Sequence, residues 1–266
     1  MIEGIAKKME VKLQGPVEYT LALVTAQKVS KIVLNSHIGQ TINLEYSGEI
    51  YCINCQKQTK KSFGGGYCYP CFQTLAECDA CILKPSLCHF HKGTCRDSTW
   101  GKENCMIPHI VYIALTSEVK VGITRKTQVP TRWIDQGAQK ALPIFEVSTR
   151  YQSGLLEEIM SEEISDRTNW RKMLAPKVEN IDLYSIRDEL FQSQGDFIDE
   201  LEDKFPRGEI RPLEKEKEVL IEYPHQQMPP KMVSLNFYKT PKISGKLLGI
   251  KGQYLILDNG VLNLRK

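Results

Sequence analysis

Nine cysteines fall between positions 52 and 105 of a 266-residue chain, and none lies elsewhere. Four of them form two tight pairs, Cys52-x2-Cys55 and Cys68-x2-Cys71. Zinc on four thiolates requires a tetrahedron. A Cys-x2-Cys turn presents two sulfurs from one loop while its amides support their charge. Two such turns close a site, and Gly64-Gly65-Gly66 between them supplies the return. This is zinc-ribbon spacing, so Cys52, Cys55, Cys68 and Cys71 are expected to hold one structural Zn²⁺.

Downstream the cluster is denser: Cys78-x2-Cys81, Cys88-His89, His91, Cys95 and Cys105, with His109 just beyond. These exceed one tetrahedron. A second Zn²⁺ on Cys78, Cys81, Cys88 and Cys95 is expected, with His91 or Cys105 as substitutes and an iron–sulfur cluster as the alternative. No His-x-Glu or His-Glu-x2-His pattern accompanies them, so the metal is read as structural rather than catalytic.

The surroundings bound the chemistry further. Lys57, Lys60 and Lys61 lie between the first two pairs, and Tyr67, Tyr69 and Phe72 stand beside the second. Basic loops with aromatics can hold phosphate and stack bases, and they also occur as solvated turns over a miniature core. A net charge of +3 permits a nucleic-acid partner without requiring one. Behind Met1 and the basic Lys7-Lys8 no apolar run reaches the length of a signal peptide or membrane span, which points to a cytoplasmic protein with no membrane contact. An odd cysteine count in that setting favours thiolate ligands over disulfides.

The elements that must position these residues follow from periodicity. Residues 1–50 read as strands at 17–24, 31–34 and 41–46, and a β-rich part from 211 to 266 has strands near 218–223, 233–237, 245–250, 253–257 and 261–264. The Asp258-Asn259-Gly260 turn marks a hairpin. Both ends are candidate small β-domains that could pack together as one barrel. Between the cysteine segment, 51–105, and the last part, residues 106–210 alternate strand and helix. Residues 110–115 and 119–123 form a hairpin, and Leu155, Leu156, Ile159, Met160 and Ile164 make one apolar helix stripe. A further helix runs from Asp182 towards Pro206, with Gly195 as a break. The fold class expected is α+β.

The stretch HIVYIALTSEVKVGITRKTQVPTRWIDQG, 109–137, resembles the GIY-YIG endonuclease superfamily. Ile110-Val111-Tyr112 stands where the first motif would be and Lys120-Val121-Gly122 where the second would be. Arg132 occupies the place of the family's arginine, with Arg125 as a rival, and Glu157 that of its metal-binding glutamate, with Glu158 as a rival. Lys120 replaces the second tyrosine, and Gln136 stands where many members have histidine. The whole chain, with CHFHKGTCRDSTW at 88–100 and SDRTNWRKML at 165–174, further resembles a bacterial family of cysteine-rich proteins that implies no activity.

The nuclease resemblance implies hydrolysis of DNA or RNA. Tyr112 would accept a proton from water or orient it, Arg132 would clamp phosphate, and Glu157 would hold one Mg²⁺ or Mn²⁺. Lys120 would hold a phosphate or lower the Tyr112 pKa. Lys57, Lys60, Lys61, Arg125 and Lys126 are the expected nucleic-acid contacts. The alternative is a binding module, for nucleic acid or protein, that has lost turnover. Asp166 to Trp170 either line the same cleft or cap the next helix.

Overall fold

The computed structural model describes residues 2–164, 169–174, 181–226, 229 and 232–265. Helix and sheet are mixed, as an α+β chain requires. At its centre β1 (His109–Leu115) and β2 (Val119–Arg125) form the expected hairpin, with Tyr112 opposite Gly122 and Ala114 opposite Lys120. The chain then passes through α1 (Thr131–Asp135) into β3 (Lys140–Val147), which pairs antiparallel with the other edge of β1. Helices α2 (Arg150–Ser161), α3 (Leu183–Ser193) and α4 (Gly195–Glu202) follow. Strand β4 (Ile210–Pro212) and the pair Val219–Leu220 complete the sheet on β3.

Every residue of β1 is buried. An unbroken apolar run suits a strand covered on both faces, and alternation assigns the faces. Val111 and Ile113 pack with Val121, Leu156, Met160, Leu183, Leu190 and Leu201 on the helical side. Ile110, Tyr112 and Ala114 pack on the other side with Trp133 and Ile134 of α1 and with the two ends of the chain. Helix α2 starts at a capping box in which Thr149 and Gln152 satisfy each other's backbone amides. Its predicted stripe is realised, Leu156 and Met160 being buried and Leu155, Ile159 and Ile164 packed beside them. The helix expected from Asp182 divides at Gln194, with Gly195 opening α4.

The two ends meet, as two sheets on one core rather than as one closed barrel. Glu18–Val24 is flanked by Val29–Val33 on one side and by Glu10–Lys12 and Ile5–Ala6 on the other. Thr41–Glu45 leaves that sheet and pairs antiparallel with Lys242–Lys251, extending the C-terminal ladder of Tyr254–Leu257 and Gly260–Asn263. Tyr19 and Leu21 share a core with Leu247, Ile250 and Leu255, and α1 sits on it. Asp135 at the end of α1 pairs with Lys8 and accepts a hydrogen bond from Gln253 Nε2 at 2.9 Å, so both ends fix the helix that carries Arg132. No described helix is long and apolar enough to cross a membrane.

Candidate functional site

The first cysteine group forms as its spacing requires. Cys52 follows the strand Ile50–Tyr51, and Cys68 caps the helix Tyr69–Thr74. The four thiol sulfurs of Cys52, Cys55, Cys68 and Cys71 all lie within 4.8 Å of one another, with Cys55 and Cys68 3.7 Å apart. Zinc–sulfur bonds of about 2.3 Å place tetrahedral sulfurs about 3.8 Å apart, so this group can hold a metal ion. Desolvation raises the Cys52 thiol, but the backbone amides of Cys68, Cys55 and Asn54 outweigh it and bring the pKa down to about 6. The glycine return is obligatory: Gly64 and Gly65 have φ of +53° and +87°, and a Cβ on Gly66 would meet Ile53 at 2.8 Å.

The second group differs from the expected set. Cys81, Cys88, Cys95 and Cys105 line one small cavity together with Asp79, His89, Trp100 and Gly101. Cys78 is not among them. It ends a short 3₁₀ turn before Asp79 caps the next helix, which carries Cys81 to the cavity while Cys78 faces the charges of Glu77, Arg96, Cys71 and Cys52. His91 packs its ring against Tyr151 at 5.5 Å and does not line this cavity, whereas Cys105 does. Asp79, Cys81 and His89 also lie within 4.8 Å of one another.

The residues singled out by the nuclease resemblance come from four elements to one place. The Tyr112 ring crosses to Gly122 on the paired strand, where a Cβ would meet its Cζ and hydroxyl at 2.8 Å, so only glycine leaves room. Trp133 packs edge-on to that ring at 5.7 Å. The Tyr112 hydroxyl donates to Gln136 Oε1 at 2.9 Å and lies in the fields of Arg132 and Glu157. Burial pushes its pKa up to about 12 although Arg132 opposes this. Arg132 is exposed, Glu157 half-buried, and Lys120 buried on the same face as Gly122.

Both rivals are occupied elsewhere. Glu158 accepts from Ser86 Oγ at 2.7 Å and pairs with Lys84 at 2.9 Å, and Arg125 donates to Asn104 Oδ1.

Of the expected nucleic-acid contacts, Lys57, Lys60 and Lys61 are exposed, Lys61 lying over the Phe63 ring. Phe63, Tyr69 and Phe72 pack on one another, which makes these aromatics a miniature core. Lys126 pairs with Glu146, which also takes Arg211, so with Arg125 it is already engaged by the protein. Residues 166–168 of the polar run lie outside the described residues. Asn169 caps the helix Trp170–Leu174 by accepting from Arg171 and Lys172 amides, and Trp170 stacks on Tyr254, away from Tyr112. A separate cavity of about 820 Å³ is lined by Ile221, Tyr223, Ile250 and Lys251. Its lining includes none of Tyr112, Arg132, Gln136 and Glu157.

Sequence reasoning missed Gln136 as the hydrogen-bond partner of Tyr112, a role its departure from histidine concealed. It also passed over Gly154 of α2, whose missing side chain admits the turn Pro85–Leu87: a Cβ there would meet Ser86 N at 2.5 Å. His109 is a core residue rather than a metal ligand. Its Nδ1 bonds the Ile107 carbonyl at 2.7 Å, its Nε2 is buried without a partner, and burial pulls its pKa down to about 4.

A depressed histidine pKa means the unfolded chain binds the extra proton. The associated stability is present above about pH 6.5 and is lost as pH falls through the window down to 4, about 3 kcal/mol in all. Urea unfolding of wild type and His109→Gln at pH 7 and pH 4.5 checks this. The stability advantage of wild type should shrink in acid, and a pH-independent gap would refute it.

No curated protein and no solved structure matches the chain. Residues 39–266 match the family described as "Protein of unknown function (DUF2797)", a span that takes in both cysteine groups and the Tyr112 site, and the chain belongs to that family.

Proposed function

We propose that this protein is a GIY-YIG-like, zinc-stabilised nuclease that hydrolyses phosphodiester bonds in DNA or RNA with Mg²⁺ or Mn²⁺. The observation that carries the reading is the convergence of Tyr112, Arg132, Gln136 and Glu157 from a hairpin and two helices. The order of elements supports it, a hairpin followed by helix, third antiparallel strand and helix, with the tyrosine strand central. The tight sulfur group supports zinc as its metal, and the exposed Lys57, Lys60 and Lys61 support a phosphate-bearing partner.

Glu157 fits a divalent ion of the oxygen-loving kind: it is a half-buried carboxylate that, like the exposed Arg132, acts on the Tyr112 hydroxyl, and Mg²⁺ binds through one or two carboxylates while keeping several waters. Bound there, such an ion supplies positive charge against the non-bridging phosphate oxygens. Arg132 offers forked donors to the same phosphate from solvent. Tyr112, with its pKa near 12, keeps its proton at neutral pH. It therefore orients water or phosphate through its hydroxyl, held by Gln136, rather than acting as a ground-state base.

The second reading, a binding module without turnover, is favoured by that same buried hydroxyl and by Lys120 in the second motif. The two separate in one series. Wild-type protein with Mg²⁺ should cleave a nucleic-acid probe, and binding should weaken with salt by roughly 0.7–0.9 log units per log of salt for each phosphate neutralised. Arg132→Ala should lose about ten- to a hundredfold in both binding and rate. Tyr112→Phe should lower rate with binding kept. Binding without cleavage, unmoved by Tyr112→Phe, selects the module; no binding to duplex, single strand or RNA at low salt removes the nuclease and leaves only a module for a protein partner.

A further inference from the structure

We propose that the cavity between the central sheet and the C-terminal ladder binds a small apolar molecule carrying one carboxylate, with Lys251 as its charge partner. The segment 220–226 builds the wall. It leaves the central sheet at Leu220, and the Ile221 amide donates to the Gln139 carbonyl at 2.9 Å. It joins the ladder where the Ile250 amide donates to the Pro224 carbonyl at 2.9 Å and the Gln226 amide to that of Leu248 at 2.8 Å. Between these attachments lie about 820 Å³, within the roughly 300–1,000 Å³ range of small-molecule sites, which gather at such junctions. Ile38, Leu174, Leu220, Ile221, Ile250 and Ile256 give the cavity an apolar lining.

Lys251 also lines it, and apolar packing does not explain a lysine there. It ends the strand Lys242–Lys251, is only 7% exposed, and holds its Nζ 5.2 Å from the centroid of the Tyr223 ring. That Nζ forms no ion pair and no hydrogen bond with the described residues. Burial pulls its pKa down to about 8, and no acid opposes the shift. At neutral pH the side chain therefore stays largely an ammonium, and a buried charge without a counter-ion is costly. The face of Tyr223 offsets part of that cost, and an anion in the cavity offsets the rest.

Other polar groups of the lining are engaged or exposed. The Tyr223 hydroxyl donates to the Ala138 carbonyl at 2.7 Å, and Asn35 bonds the Val17 carbonyl at 2.9 Å and the Tyr19 amide at 2.8 Å. Glu222, His225 and Gln226 are exposed. One ammonium with no arginine fork beside it matches a single negative charge rather than a phosphate dianion. Occupancy of this cavity does not depend on cleavage at Tyr112, which lies outside the lining.

Calorimetric titration of the full chain tests this with octanoate and 2-naphthoate, each against a neutral counterpart, 1-octanol and 2-naphthamide. Wild type should bind one carboxylate per chain and prefer it to its counterpart by about tenfold or more, the scale of one charge-assisted hydrogen bond. Lys251→Met keeps much of the stem's bulk and removes the charge, so it should lose that preference while still binding the neutral probes. In wild type, bound 2-naphthoate should also slow reductive methylation of Lys251, read by peptide mass spectrometry, and leave the exposed Lys57 and Lys60 unaffected. That reading stands even where Lys251→Met does not fold. Absence of saturable one-to-one binding of either carboxylate to wild type would overturn the proposal, as would an undiminished preference in Lys251→Met or methylation of Lys251 unslowed by the bound probe.

Discussion

Cys52→Ser is expected to release zinc and unfold the segment from 50 to 72, with the central sheet left standing. The four sulfurs come from two turns that have almost no apolar core of their own: the helix Tyr69–Thr74 buries no residue fully, and Tyr69 and Phe72 pack on the Phe63 ring. With zinc held there as proposed, metal binding supplies the folding free energy of this segment, on the order of 10 kcal/mol for a structural four-ligand zinc.

Cys52 is the buried member of the group, so serine there also leaves a hydroxyl where amides of Cys68, Cys55 and Asn54 converge. β1, Leu156 and Met160 draw nothing from these turns. Hydrogen exchange on Cys52→Ser, or on wild type after chelation, should show amides of 50–72 lose protection while those of β1 and α2 keep theirs. Unchanged protection at 50–72, or protein that never carried a metal, would contradict the assignment.

Local chemistry explains why this group was legible in the sequence and the second was not. Both ligand pairs of the first site sit within single turns, so spacing alone brings the sulfurs together. In the second group the placement of the thiols depends on how successive short turns are oriented. Asp79 restarts the helix between Cys78 and Cys81, and no spacing rule says that Cys78 will face the first site while Cys105 faces the second.

The central sheet shows the same division. Strand β1 and the α2 stripe were readable because one segment carries its own period. The pairing of Thr41–Glu45 with Lys242–Lys251 joins segments some two hundred residues apart, and nothing local specifies it. Lys126 looked like a phosphate contact for the same reason, since its partner Glu146 lies on another strand.

Glu157→Ala is expected to reduce cleavage by about a hundred- to a thousandfold, the scale on which losing one electrostatic stabiliser of the transition state acts, while leaving nucleic-acid affinity nearly unchanged. Glu158→Ala should leave cleavage nearly intact. The two residues are neighbours on α2 but point to different tasks. Glu157 lies in the field of the Tyr112 hydroxyl with Arg132, whereas Glu158 turns to Ser86 and Lys84 on the cysteine segment.

The Ser86 hydrogen bond and the Lys84 charge hold the Glu158 carboxyl below its ordinary range, but the pair is largely exposed, so its loss costs at most about 1 kcal/mol. Glu157→Gln keeps the size and removes only the charge, so it should fail as fully as alanine if the carboxylate's task is to hold the divalent ion. Rates and affinities of the three variants with Mg²⁺ and with Mn²⁺ decide this. If Glu158→Ala abolishes cleavage and Glu157→Gln does not, the metal-holding role belongs to the wrong neighbour. If neither variant moves the rate, α2 has no part in the chemistry.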